Sequence, residues 1–129
     1  MNTSTNWFSV HAIFYFELVD EPQSSYLVHE NVYLINAIDW GSAEKIGTQI
    51  ALDAQDLSED GHLELNEKKA RYVYAGIRKV IEVETREEGD EFTAQPQAVE
   101  ITYSVYEVDS LEQIQGLVKG EMVEVLYRE

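Results

Sequence analysis

Residues 7–19 read WFSVHAIFYFELV. Phe8, Val10, Ala12, Phe14, Phe16 and Leu18 fall on one side of an extended chain, and Trp7, Ser9, His11, Ile13, Tyr15 and Glu17 on the other. Side chains alternate across a strand, so this run predicts a strand with one wholly apolar face and one mixed face. The polar run 20–25, DEPQSS, reads as a connecting loop. A second strand is expected over 26–37, and the short link argues for a hairpin. Its even side, Tyr26, Val28, Val32 and Leu34, matches the apolar face of the first strand, with Glu30 interrupting it. That alignment sets His11 opposite Tyr33 and His29 opposite Tyr15.

Further along, Asp39 is placed to cap a helix over about 42–56, with Ala43, Ile46, Gly47, Ile50, Ala54 and Leu57 recurring at helical spacing. Gly47 on that stripe predicts close approach to the sheet. Residues 62–66 read as a short strand, and 70–84 as a long one with a bulge near Gly76. The stretch 85–97 is an acidic loop, long for a compact domain. In 98–108, Val99, Ile101, Tyr103 and Val105 alternate with polar residues and Tyr106. Ser110 with Gln113 forms a capping box for a helix over 110–118, stopped by Gly120, and 121–127 closes the chain as a strand. The expected fold is α+β in a single domain over residues 1–129. Its elements run β-β-α-β-β-α-β, giving an antiparallel sheet of about five strands with the helices on one face.

Length and charge bound the rest. The chain has 129 residues, 25 acidic and 9 basic, for a net charge of −16, and no cysteine. One domain of this size buries roughly two thirds of its unfolded surface. A surface this acidic repels nucleic-acid backbone and anionic lipid, so neither nucleic acid nor membrane is an expected partner. Without cysteine there is no disulfide framework, thiolate zinc site or thiol nucleophile. No run approaches the ~20 apolar residues of a membrane span, and the N-terminus has no basic leader. A bacterial cytoplasmic location is the expectation. The basic side chains cluster: residues 68–86 hold six of them against two acids. Ion pairing across neighbouring strands is the simplest use for that stretch.

Several constellations could carry chemistry. Asp56, Ser58, Asp60, Gly61, Glu64 and Glu67 match the ligand positions of a calcium loop. The segment that follows is rich in Tyr, Val and Ile and reads as strand where the template needs helix. A solvated acidic turn is therefore preferred, and neither a metal nor any other cofactor is expected. The histidines are His11, His29 and His62, and in the expected register His11 and His29 are not neighbours, so a strand-borne zinc site is not expected. No nucleophile elbow, phosphate loop or dinucleotide-binding glycine pattern occurs. Glu30, if buried, needs a cation or donors. Arg78 and Lys79 are its natural partners, and with Glu100 and Tyr103 they form a candidate polar cluster for acid–base work or anion binding. The mixed outer face of the first strand, with Trp7, His11 and Tyr15, joins Tyr72, Tyr74 and Tyr106 as a candidate aromatic interface.

Four runs also carry a family likeness: HENVYLINA (29–37), YVYAGIRKVI (72–81), EITYSVYEVDS (100–110) and GEMVEVLYRE (120–129). Taken in order they resemble the bacterial proteins grouped as domain of unknown function 4288, over nearly the whole chain. The chain departs from that pattern at Leu65-Asn66-Glu67-Lys68, where an aromatic and a proline are common. The resemblance implies no particular activity, cofactor or catalytic residue. Two functional expectations follow from the residues. One is a non-catalytic interaction module that binds a basic protein partner or forms a homo-oligomer. The other is a small-molecule binder or enzyme built on the polar cluster. A flat surface with Arg78 and Lys79 paired favours the first, and a cavity into which those groups converge favours the second.

Overall fold

The computed structural model describes residues 5–58, 63–83 and 98–128. Strands β1 (Asn6–Leu18) and β2 (Tyr26–Ala37) form the hairpin read from the sequence. Helix α1 (Trp40–Ala54) follows, then β3 (Glu64–Leu65), β4 (Lys68–Val83), β5 (Ala98–Val108), α2 (Leu111–Val118) and β6 (Leu126–Tyr127). All six strands form one antiparallel sheet in the order β3-β4-β1-β2-β5-β6. The fold is α+β, as expected, with the two-residue β3 as a sixth strand.

Both faces of β1 are buried, and this corrects the expected layering. On the first face Phe8, Val10, Ala12 and Phe14 join Tyr33, Ile35 and Ala37 of β2 beneath Ala43 and Ala51 of α1. On the second face Ile13 joins Val28, Tyr106 and Val108 beneath Ile114 and Leu117 of α2. The helices thus lie on opposite faces of the sheet, not on one. The "mixed" side of β1 is a second core.

The β1–β2 register explains how. Asn6 pairs with Ala37, His11 with Val32, Phe14 with His29 and Tyr15 with Val28. This is one residue from the alignment expected from apolar matching, and such a slip exchanges the faces of a whole strand. Gln23 holds the end of the hairpin. Its Oε1 accepts from the Leu18 amide at 3.0 Å and its Nε2 donates to the Phe16 carbonyl at 2.8 Å, filling the ladder positions beyond the last β2 pair.

Local signals elsewhere hold. The Asp39 side chain accepts from Ser42 N at 2.8 Å and caps α1. Ser110 Oγ accepts from Gln113 N at 3.2 Å, while Gln113 Oε1 reaches back to Asp109 N at 2.6 Å. Gly47 lies on β1 and β2 so closely that a Cβ there would stand 2.6 Å from Val10 Cγ1. β4 slips register against β1 twice, between His11 and Ala12 and between Ile13 and Phe14, on either side of Gly76. Gly76 has φ +155, and a Cβ there would stand 2.5 Å from Val118 Cγ1 of α2. These slips send Ile77 and Val80 to the α1 core and Ala75 to the α2 core, so β4 does not keep the single apolar side its sequence suggests.

β5 departs from expectation for the same reason. Its register with β2 shifts between Val32 and Tyr33, leaving Ile101 as the extra residue. Val99, Ile101 and Tyr103 are exposed, and Tyr106 and Val108 are the buried members of the strand. At the C-terminus only Leu126 and Tyr127 pair, although Val123 and Val125 pack into the α2 core.

The β3–β4 turn is strained where it need not be. Asn66 and Glu67 have φ of 54° and 69°, the left-handed pair that a two-residue hairpin turn demands. Asparagine tolerates this region, whereas glutamate carries a steric cost that glycine lacks. Glu67→Gly is expected to raise stability by about 1 kcal/mol. Thermal and urea unfolding check it; an unchanged or lowered midpoint would contradict the turn geometry.

Candidate functional site

Glu30 sits at the centre of β2, where its carboxylate lies on the second face beside Ile13. The expected register put it inside the α1 core instead. Its Oε2 lies 2.8 Å from His11 Nδ1, and its Oε1 accepts from the Tyr106 hydroxyl at 2.8 Å. His11 and Glu30 side chains are each 16% exposed. Burial opposes ionisation of Glu30. The hydrogen bonds from His11 and Tyr106, with the nearby charges of His11 and Arg78, outweigh it and leave the carboxyl below its usual range. Burial and the Glu30 carboxylate together push the Tyr106 hydroxyl well above its usual range. Tyr106 is therefore a donor that keeps its proton.

Arg78 reaches this group because of the β4 slips. The guanidinium donates from Nη1 to the Leu117 carbonyl of α2 at 2.7 Å, and its charge acts on both Glu30 and Tyr106. Of the candidate polar cluster, then, Glu30 and Arg78 come together. Lys79 is exposed on β4. Glu100 pairs with Tyr33 and Tyr103 with Asn31, which puts both on the first face, away from Glu30. Their places beside Glu30 are taken by His11 and Tyr106, both assigned from sequence to an aromatic surface.

That surface does not form. Trp7 and Tyr106 are 5% and 4% exposed, and Tyr15 is half-buried against the α2 core. Tyr72 and Tyr74 pack on the α1 core. Tyr72 does more than fill space. It stacks flat on Phe14, with centroids 4.7 Å apart, and extends across β1. The Asn31 amide donates to its oxygen at 3.3 Å, so the Tyr72 O–H is free to donate to His29 Nδ1 at 3.0 Å. Burial pushes the Tyr72 hydroxyl up to about 12 and holds His29 below its usual range. The sequence offered one sign of this chain: His29, Asn31 and Tyr33 stand at every second position of β2.

Of the calcium-loop residues, Asp56, Ser58, Glu64 and Glu67 are among those described. Asp56 bonds within its own turn, its Oδ1 accepting from Ser58 N at 3.1 Å, and its backbone exchanges two hydrogen bonds with Tyr72. Glu64 stands in β3, Glu67 forms the hairpin turn, and the exit element is strand β4. Asp60, Gly61 and His62 lie outside the described residues, as do the loop 85–97 and Glu129. Among the described residues no group of three or more His, Asp or Glu side chains is arranged to hold a metal ion. A concavity of about 480 Å³ lies between the β1–β2 loop and the β3–β4 turn, lined by Pro22, Gln23, Asn66 and Lys68 among others. None of the five polar-cluster residues lines it.

The arrangement can hold a carboxylate ionised in a half-dry site and can fix one histidine tautomer. Both effects make stability depend on pH. The folded Glu30 carboxyl lies below its unfolded range, so it stabilises the protein above the ordinary carboxylate range, and that contribution is lost as pH falls through the folded value. His29 runs the same way: below about pH 6.5 the unfolded chain takes up the proton first. Stability is expected to fall on acidification in two limbs. Glu30→Gln shrinks the lower limb, to which Asp39 also contributes, at a cost of about 1 kcal/mol near neutrality. Urea unfolding at stepped pH checks this, and an acid limb unchanged in Glu30→Gln would contradict it. The chain matches no family model, no curated protein and no solved structure.

Proposed function

We propose that the protein is a non-catalytic, acidic interaction module of a bacterial cytoplasm, and that its partner is a basic protein. The observation that carries this reading is the internal use of the groups suited to chemistry. Glu30 has both oxygens occupied by His11 and Tyr106, and Arg78 is directed to a helix carbonyl. Much of the basic stretch is spent in the same way, Lys68 on Glu21 at 2.9 Å and Arg71 on Glu17 at 3.2 Å. Against a net charge of −16, the outward field is therefore one of unbalanced carboxylates. Such a field steers a basic partner and repels nucleic acid. No helix among the described residues is long and apolar enough to cross a membrane. Membership of the domain of unknown function 4288 family belongs to the same proposal, and rests on the four sequence runs.

The test is a recovered partner, remade pure and titrated against the protein. The partner is expected to carry an excess of lysine and arginine, and its affinity to fall steeply as salt rises. Glu30→Gln should fold and bind it unchanged. A folded Glu30→Gln that no longer binds would overturn this reading in favour of a ligand site. So would a small molecule that stabilises the wild type and not the variant.

A further inference from the structure

The two edges of the sheet are treated differently by the chain. Along the outer side of β4, the Ala70 amide donates to the Leu63 carbonyl and Tyr72 exchanges two bonds with Asp56. The Tyr74 amide donates to Gln55 Oε1 at 3.0 Å, and the Trp40 indole N–H takes the Val80 carbonyl at 3.2 Å. From Ala70 to Tyr74, and again at Val80, backbone groups on that edge are answered, which is how a sheet avoids adding a stray strand.

β5 is left open. Arg128 N donates to the Val105 carbonyl at 3.0 Å, and β6 pairs only with Tyr106 and Glu107. The Val105 carbonyl thus points away from β2. By the two-residue repeat of a strand, the N–H and C=O of Tyr103 point to the same side. Among the described residues nothing pairs with the outer side of β5 from Ala98 to Ser104. Three large apolar side chains there are exposed, Val99 at 43%, Ile101 at 52% and Tyr103 at 57%. Over 98–108 the strand carries Glu100 and Glu107 and no lysine or arginine, so it lacks the edge lysine that guards against strand addition.

From this geometry we infer that the outer edge of β5 is a strand-addition site, and that its occupant is an extended basic segment of a partner protein. The inference rests on the interaction-module reading and adds where and how the partner binds. Main-chain hydrogen bonds to Tyr103 and its neighbours supply the pairing, while Ile101 and Tyr103 supply apolar contact. Charge selects the occupant. A lysine or arginine at alternate positions of the added strand meets Glu100 across the new ladder. A second copy of this chain would instead bring another acidic edge and another net −16.

The probe is a pair of capped octapeptides of alternating valine and charged residues, one with lysine and one with glutamate. Each is titrated into the full-length protein, with amide hydrogen exchange followed on the complex. The lysine peptide is expected to bind and to slow exchange in residues 98–104, the glutamate peptide to do neither. Tyr103→Pro removes an outward N–H without touching the β2 ladder, and Ile101→Lys places a repelling charge on the edge. Each should weaken binding at least tenfold. If Tyr103→Pro fails to fold, Ile101→Lys with the exchange pattern decides. The inference is overturned if neither peptide binds, if both bind alike, or if binding leaves residues 98–104 unprotected. Insensitivity to Ile101→Lys also overturns it, as does self-association that protects the same amides. Loss of the edge with retention of a basic partner elsewhere would leave the module reading standing.

Discussion

The pairing of Asn6–Leu18 with Tyr26–Ala37 one residue away from simple apolar matching is the constraint on which everything else rests. In that register the central hairpin has no solvent face. Phe8, Val10 and Phe14 go beneath one helix, and Ile13 and Val28 beneath the other. Fully burying a side chain of this kind stabilises the fold by about 1.5–3 kcal/mol, and Ile13, Phe14, Val28 and Ile35 are all at 0% exposure. Shifting the strand by one residue would drive His29 and Asn31 out of their places and carry Glu30 into the α1 core. A carboxylate without partners in such a core costs several kcal/mol. The register is therefore set as much by where polar groups find partners as by where apolar ones find neighbours.

Each face answers its polar residues in its own way. Beneath α2, Glu30 collects two donors and the field of Arg78. On the α1 side, Asn31, Tyr72 and His29 form a chain of hydrogen bonds that needs no formal charge. The β4 slips serve both faces, because they turn Arg78 toward α2 while keeping Tyr72 and Tyr74 over Phe14. With these groups satisfied inside, the proposed partner is left the acidic surface and the outer edge of β5, which the described residues leave unpaired from Ala98 to Ser104.

Much of the fold was legible in the sequence. The period-two runs located β1, β2, β4 and β5, and the side chains of Asp39 and Ser110 marked both helix starts, because strand alternation and helix caps are local properties. The face assignments were not legible. Alternation tells inside from outside only when one face meets water, and both faces of β1 and β2 are covered. The bulges at Gly76 and Ile101 then changed parity within β4 and β5, so residues that alternate in the sequence part company in space. For that reason the sequence pattern sets Glu100 and Tyr103 with Glu30, whereas the structure sets His11 and Tyr106 there. The grouping of Glu100 and Tyr103 traces to register, and the placing of His11 to the cover that α2 gives the second face. The open edge of β5 had no local sign, since it depends on how little of the C-terminal segment pairs.

The most direct measurement is the set of cross-strand nuclear Overhauser contacts between β1 and β2 in solution. This register predicts backbone contacts linking His11 with Val32 and Tyr15 with Val28, together with side-chain contacts from Glu30 to His11 and Tyr106. Contacts linking His11 with Tyr33 and Tyr15 with His29, with Glu30 touching Ile46 or Ile50 of α1, would contradict it.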